Sequence, residues 1–158
     1  MVEVPALGAR GGGWVVLQFA LMAAIFVLGV VGPSWPDSAR WWLKGVGVFL
    51  VLAGAFVVAK AGRALGSGFT PFPRPAEAGA LVEDGPFAIV RHPVYSGGML
   101  VFTGISLALS PWALAGTAAL TLNWALKARV EERFLGARYP AYANYCARTR
   151  SRLIPFVY

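Results

Sequence analysis

Between Trp14 and Gly32 the chain runs for 19 residues without a formal charge. The bilayer sets that length, because its hydrocarbon core takes about 20 helical residues to cross. Arg10 ahead of the run gives the outline of a secretory leader. The run is too long for a typical h-region, however, and Gly32-Pro33-Ser34-Trp35-Pro36 is no small-residue cleavage site. It reads as a retained membrane helix, stopped by Pro33 and Pro36. A second run, Trp41 to Ala59, carries only Lys44, whose stem can reach back to the interface. Trp35, Trp41 and Trp42 gather at that end, as an interfacial aromatic belt does. Val94 to Leu126 then gives 33 uncharged residues, broken at Ser110-Pro111. A single helix of that length would reach about 50 Å, so two antiparallel arms turning at Ser110-Pro111 are expected.

Charge excludes the competing classes. Only 13% of residues are charged and 58% are apolar, whereas soluble domains average about 25% charged. Six Trp, ten Phe and five Tyr are too many aromatics for a disordered chain. The lone Cys146 and lone His92 allow neither a disulfide framework nor a Cys/His zinc cage. The expected fold is an all-α integral membrane bundle of about four transmembrane helices, one domain over 1–158. Residues 1–60 supply two spans and 61–96 a connection rich in Gly and Pro. Residues 97–126 supply a helical hairpin. Residues 127–158 form a cytoplasmic tail, with a short helix begun at Pro140. Four spans place twelve of the fourteen basic residues on one side and leave Arg40 and Lys44 on the other. That split puts both termini in the cytoplasm. The positive charge borders the membrane, so the bilayer and not nucleic acid is the expected partner.

Two segments could carry chemistry. In the first, Pro93 opens a helix with His92 as its cap. The free N–H groups there, with the Arg91 guanidinium, make half of an anion site; anchoring at the membrane surface is the plainer reading. In the second, Glu131 and Glu132 lie where a membrane helix emerges. Lys127 and Arg129 stand one turn before them, so the pair reads either as a solvated, ion-paired face or as a cation site. The ends of the hairpin bring the two segments to one side. Together they suit an amino-acid-like zwitterion beside an apolar cavity.

The ordered set Arg91-His92-Pro93-Val94-Tyr95-Ser96-Gly97, a helical hairpin, Glu131-Glu132-Arg133-Phe134-Leu135 and a Tyr-rich basic tail ending Leu153-Ile154-Pro155 resembles the isoprenylcysteine carboxyl methyltransferase family. Phospholipid N-methyltransferases share the pattern. The resemblance covers about residues 65–158 and implies an integral membrane methyltransferase using S-adenosylmethionine. It implies backbone contacts to the cofactor from Leu81 and Val82, with Phe87 at the family's usual Tyr position. His92, Pro93 and Tyr95 would line the cofactor's amino-acid end, and Glu131 would take its ammonium. Lys127 stands where an Arg is usual, directed at the substrate, and Arg129 is the other candidate. A carboxylate acceptor, such as that of an isoprenylcysteine, needs cations (Arg91, Lys127, Arg129) and no base. An amine acceptor needs His92 or Glu132 as base, and a small thiol needs a nearby cation. A lipophilic acceptor entering from the bilayer is favoured.

Two other classes compete. A sterol-type membrane reductase using a nicotinamide cofactor shares His-Pro-x-Tyr, but shows Asn between Pro and Tyr where this chain has Val94. A non-catalytic adaptor would bind anionic lipid through the tail's basic residues. It leaves the flanking of one hairpin by Arg91-His92-Pro93 and Glu131-Glu132 unexplained.

Overall fold

The computed structural model describes Gly8 and residues 10–157; the start of the expected 1–60 unit, residues 1–7 and 9, lies outside them. The described residues are helical, without a strand: α1 (Gly12–Val31), α2 (Asp37–Leu65), α3 (Pro93–Leu109), α4 (Pro111–Arg138) and α5 (Tyr142–Arg148). Short 3₁₀ turns occupy Gly66–Gly68 and Gly85–Ala88 in the long connection. Helices α1 and α2 are long and apolar enough to cross a membrane. Val30, Trp42, Phe49, Leu52 and Phe56 point outward from them, as residues facing lipid rather than a protein core do.

One hydroxyl closes the bundle at one end. Ser110 accepts from Trp112 N at 3.2 Å, capping α4, and donates to Pro33 O at 3.0 Å. It thereby joins the α3–α4 corner to the α1–α2 corner. Pro93 and Pro111 each occupy the first turn of their helix, where the missing N–H costs nothing. Helix α4 has 28 residues and a length of about 42 Å, and its charged residues begin only at Lys127, in its last turns.

Helix α2 lies on α3 along paired glycines. Gly47 faces Gly104 and Gly54 faces Gly97, seven residues apart on each helix, and the backbones touch. A Cβ at Gly97 would sit 2.7 Å from Gly54 O and 3.1 Å from Val58 N. Gly97→Val is therefore expected to push the helices apart and destabilise the protein by about 2 kcal/mol. Thermal unfolding in detergent reads this directly, and an unchanged melt would show that the seam yields freely.

Several boundaries differ from expectation. Helix α2 extends from Asp37 to Leu65 rather than 41–59, because Gly62 and the charged Lys60 and Arg63 are carried on helical turns. Pro140 lies in the turn before α5 and not inside it, and Tyr139 ends α4. Lys127, expected in the solvated tail, is wholly buried.

Candidate functional site

The connection, the start of α3, the end of α4 and α5 enclose one pocket. Leu81, Val82, Phe87, Arg91, His92, Pro93, Tyr95 and Glu131 line it, joined by Leu135, Tyr142 and Tyr145. Eight residues singled out from sequence thus meet around one space. Glu132, Lys127 and Arg129 are not among its lining residues.

The adjacent carboxylates part company because neighbours on a helix stand about 100° apart. Glu131 turns into the pocket and is a quarter exposed. Its Oε2 accepts from Tyr95 Oη at 2.8 Å. His92 Nδ1 lies 3.7 Å from the same oxygen, too far for a hydrogen bond.

Glu132 turns toward the tail. It accepts from Arg91 Nε at 2.7 Å, from Arg152 Nη2 at 2.8 Å and from His92 Nε2 at 3.3 Å. Burial alone would raise its carboxyl, but the hydrogen bonds from His92, Arg152 and Arg91 outweigh it and hold the group well below the usual carboxylate range. An ionised carboxylate only accepts, so His92 keeps its Nε2 proton pointed at Glu132. The geometry gives Glu132 a fastening role; the sequence offers it, or His92, as a base only for an amine acceptor.

Arg91 completes the fastening. Besides Glu132, its Nη1 donates to Thr149 O at 2.9 Å and Arg150 O at 2.8 Å. Arg91 N and His92 N donate to Ser151 O and Arg152 O, and Ser96 Oγ donates to Leu153 O. The expected half of an anion site is therefore committed to holding residues 149–153. His92 sits at the cap position of α3 without a capping side-chain bond, because its ring is used by Glu132.

Behind the pocket the rings of His92, Tyr95 and Trp124 stack, with centroids 5.6 and 5.9 Å apart. Gly98 admits Trp124, since a Cβ there would meet the indole at 2.6 Å. Lys127, expected to pair with Glu131, instead donates to Gln18 Oε1 of α1 at 2.8 Å and lies 5.4 Å over the Tyr95 ring. Gln18 Oε1 also accepts from Trp124 Nε1 at 3.0 Å. Arg129 is exposed on α4.

Tyr95 also borders a second space. Helix α1 leans on α4 and α2 on α3, which leaves an apolar groove of about 660 Å³ reaching from Phe19 and Ala55 in to Tyr95, Trp124 and Lys127. Sequence reasoning gave no role to Gln18, Tyr142, Tyr145 or Arg152. For two of them the signal is visible: Tyr139, Tyr142 and Tyr145 stand three residues apart, on one face of a helix. Gln18 sits unremarked in an apolar run, and Arg152 is one basic residue among several in the tail.

A model of the phospholipid methyltransferase family matches residues 42–141. The chain belongs to this family. The family falls within the isoprenylcysteine carboxyl methyltransferase-like group of membrane methyltransferases, in line with the resemblance carried by the Arg91-to-Gly97 and Glu131-Glu132 segments. A membrane location goes with the family and with the apolar α1 and α2. Over 73 residues the chain is 38% identical to the cobalt-zinc-cadmium resistance protein CzcN of Cupriavidus metallidurans. That stretch is 44% of this chain and spans a third of the length of CzcN. The family match takes in the pocket's Leu81-to-Glu131 wall, whereas Gln18, Tyr142, Tyr145 and Arg152 lie outside it.

Proposed function

We propose that the chain transfers a methyl group from S-adenosylmethionine to an anionic, lipophilic acceptor, a carboxylate such as that of an isoprenylcysteine. The observation that carries this reading is the position of Tyr95. One side of it faces the polar pocket with Glu131, and the other faces an apolar groove open between α1 and α2. In this reading four helices span the membrane, with both termini cytoplasmic.

The pocket's donor set fits the cofactor. Glu131 accepts from Tyr95 through Oε2, which leaves Oε1 for an ammonium. Leu81 and Val82 offer backbone groups along the wall, and Phe87, Tyr142 and Tyr145 offer ring surface for a base. S-adenosylmethionine, when bound there, supplies an electrophilic methyl on a sulfonium. The chain's own part is to position and to exclude water. The stacked His92, Tyr95 and Trp124 rings hold the wall between the two spaces. Lys127 places a positive charge at the inner end of the groove, which favours an anion there and opposes a protonated amine. An amine acceptor would also need a base, and Glu132 is committed to Arg91, Arg152 and His92.

Calorimetry on the detergent-purified protein tests the class. S-adenosylhomocysteine should bind saturably, and a reduced nicotinamide cofactor should not; the reverse result would favour a reductase. Lys127→Met tests the acceptor. Gln18 keeps its bond from Trp124 in this variant, so folding is preserved. Cofactor affinity should hold while kcat/KM for a prenylated cysteine carboxylate falls about 10- to 100-fold, the scale of one lost charged contact. Equal turnover in the variant and the parent would remove Lys127 from acceptor binding.

A further inference from the structure

Tyr142 opens α5 and lines the pocket beside Phe87. The residue is 6% exposed. Its hydroxyl oxygen is buried without a hydrogen-bond partner among the described residues. Tyr145, one turn later on the same helix, is the contrast: its hydroxyl donates to Phe87 O at 2.8 Å. Leaving a buried polar group unsatisfied costs about 1–3 kcal/mol, and packing alone gives no reason for it, because a phenylalanine would fill the same space. Burial, and after it the Glu132 charge, push the Tyr142 hydroxyl well above the usual phenol range. It is therefore a neutral donor on a residue that lines the pocket, with the weakly accepting Cys146 thiol one turn later on α5 beside it and no hydrogen bond of good geometry.

The pocket has two unlike ends. Glu131, His92 and Tyr95 carry the polar groups at one, and Leu81, Val82, Phe87 and Leu135 surround the Tyr142 and Tyr145 rings at the other. The polarity of these two groups of residues suits an amphiphilic ligand with a zwitterionic head and an aromatic base in one direction only. We propose that Tyr142 is a cofactor-specificity residue, whose hydroxyl donates to an oxygen or ring nitrogen of the nucleoside half of the bound cofactor. This rests on the reading that the pocket takes S-adenosylmethionine.

The test compares the parent protein with Tyr142→Phe and Tyr145→Phe, without ligand and with two ligands. S-adenosylhomocysteine carries both halves of the cofactor, and 5′-methylthioadenosine carries the nucleoside without the amino acid. Thermal unfolding without ligand should leave Tyr142→Phe at or above the parent, since the change removes an unsatisfied group. Tyr145→Phe should melt lower, because it loses a made bond. In calorimetry, Tyr142→Phe should bind both ligands about tenfold more weakly, the loss of one hydrogen bond. A hydroxyl that merely packs would change neither affinity, and unchanged binding in Tyr142→Phe overturns the proposal while the cofactor reading stands. A loss for S-adenosylhomocysteine alone would place the hydroxyl at the amino-acid end and overturn the nucleoside assignment. A parent protein that binds neither ligand would bring down the cofactor reading and this proposal with it.

Discussion

Glu132→Ala is expected to release the C-terminal tail from the head of α3 and to cost about 3–5 kcal/mol of stability. Three donors converge on this one carboxylate, and the groups are largely removed from water: side-chain exposures are 10% for Arg91, 14% for Glu132 and 22% for Arg152. Deleting the carboxylate leaves two guanidiniums facing each other without their common counter-charge. Breaking a buried pair in this way is far more damaging than replacing the whole of it. The loss should be local first. Protease cleavage within residues 149–157 should appear before the bundle of α1 to α4 melts, since that bundle is held by apolar and glycine contacts remote from Glu132. A variant with the parent's melting temperature and a protected tail would refute the fastening role.

The same carboxylate predicts an acid dependence with a definite sign. Its folded-state pKa is depressed, whereas an unfolded glutamate titrates near about 4.3. The stability it contributes is therefore complete above about pH 4.3 and is lost as pH falls through the depressed folded value. Glu132→Gln should flatten that acid-side slope. It should also lower stability at neutral pH, where the parent keeps the contribution in full.

The helices were legible because charge is excluded from long runs and prolines punctuate them. Ser110-Pro111 marked the hairpin corner, and Pro93 marked the head of α3. Helix α2 outruns the apolar Trp41–Ala59 stretch because Lys60 and Arg63 end the run of hydropathy without ending the helix. A helix leaving the membrane simply continues and exposes such side chains. Lys127 was misplaced for the opposite reason. Its charge suggested solvent, but its partner Gln18 lies more than a hundred residues earlier in the chain, and no local pattern announces a contact between α1 and α4. The division of labour between Glu131 and Glu132 was within reach. Consecutive helical residues never share a face, so one carboxylate had to turn away from whatever the other addressed. What lay beyond reach was the recipient, because the Arg152 clamp exists only once the tail has folded back over Arg91.

Glu131→Gln should give the reverse of Glu132→Ala: a nearly unchanged melt and a cofactor affinity reduced about 10- to 100-fold, the range for losing a hydrogen bond to a charged group. The amide keeps an oxygen to accept from Tyr95 Oη, so the wall of the pocket is preserved. Only the negative charge offered to an ammonium disappears. His92→Ala should also weaken binding. It removes the ring that stacks on Tyr95 and donates to Glu132, so some stability should go with the affinity, which separates it from the Gln variant. Calorimetry with S-adenosylhomocysteine and with 5′-methylthioadenosine makes the assignment specific. The nucleoside fragment has no ammonium, so Glu131→Gln should bind it as the parent does. Undiminished S-adenosylhomocysteine affinity in Glu131→Gln would mean that the amino-acid head lies elsewhere. A partly exposed carboxylate at the polar end of the pocket would then have no ligand to answer for it.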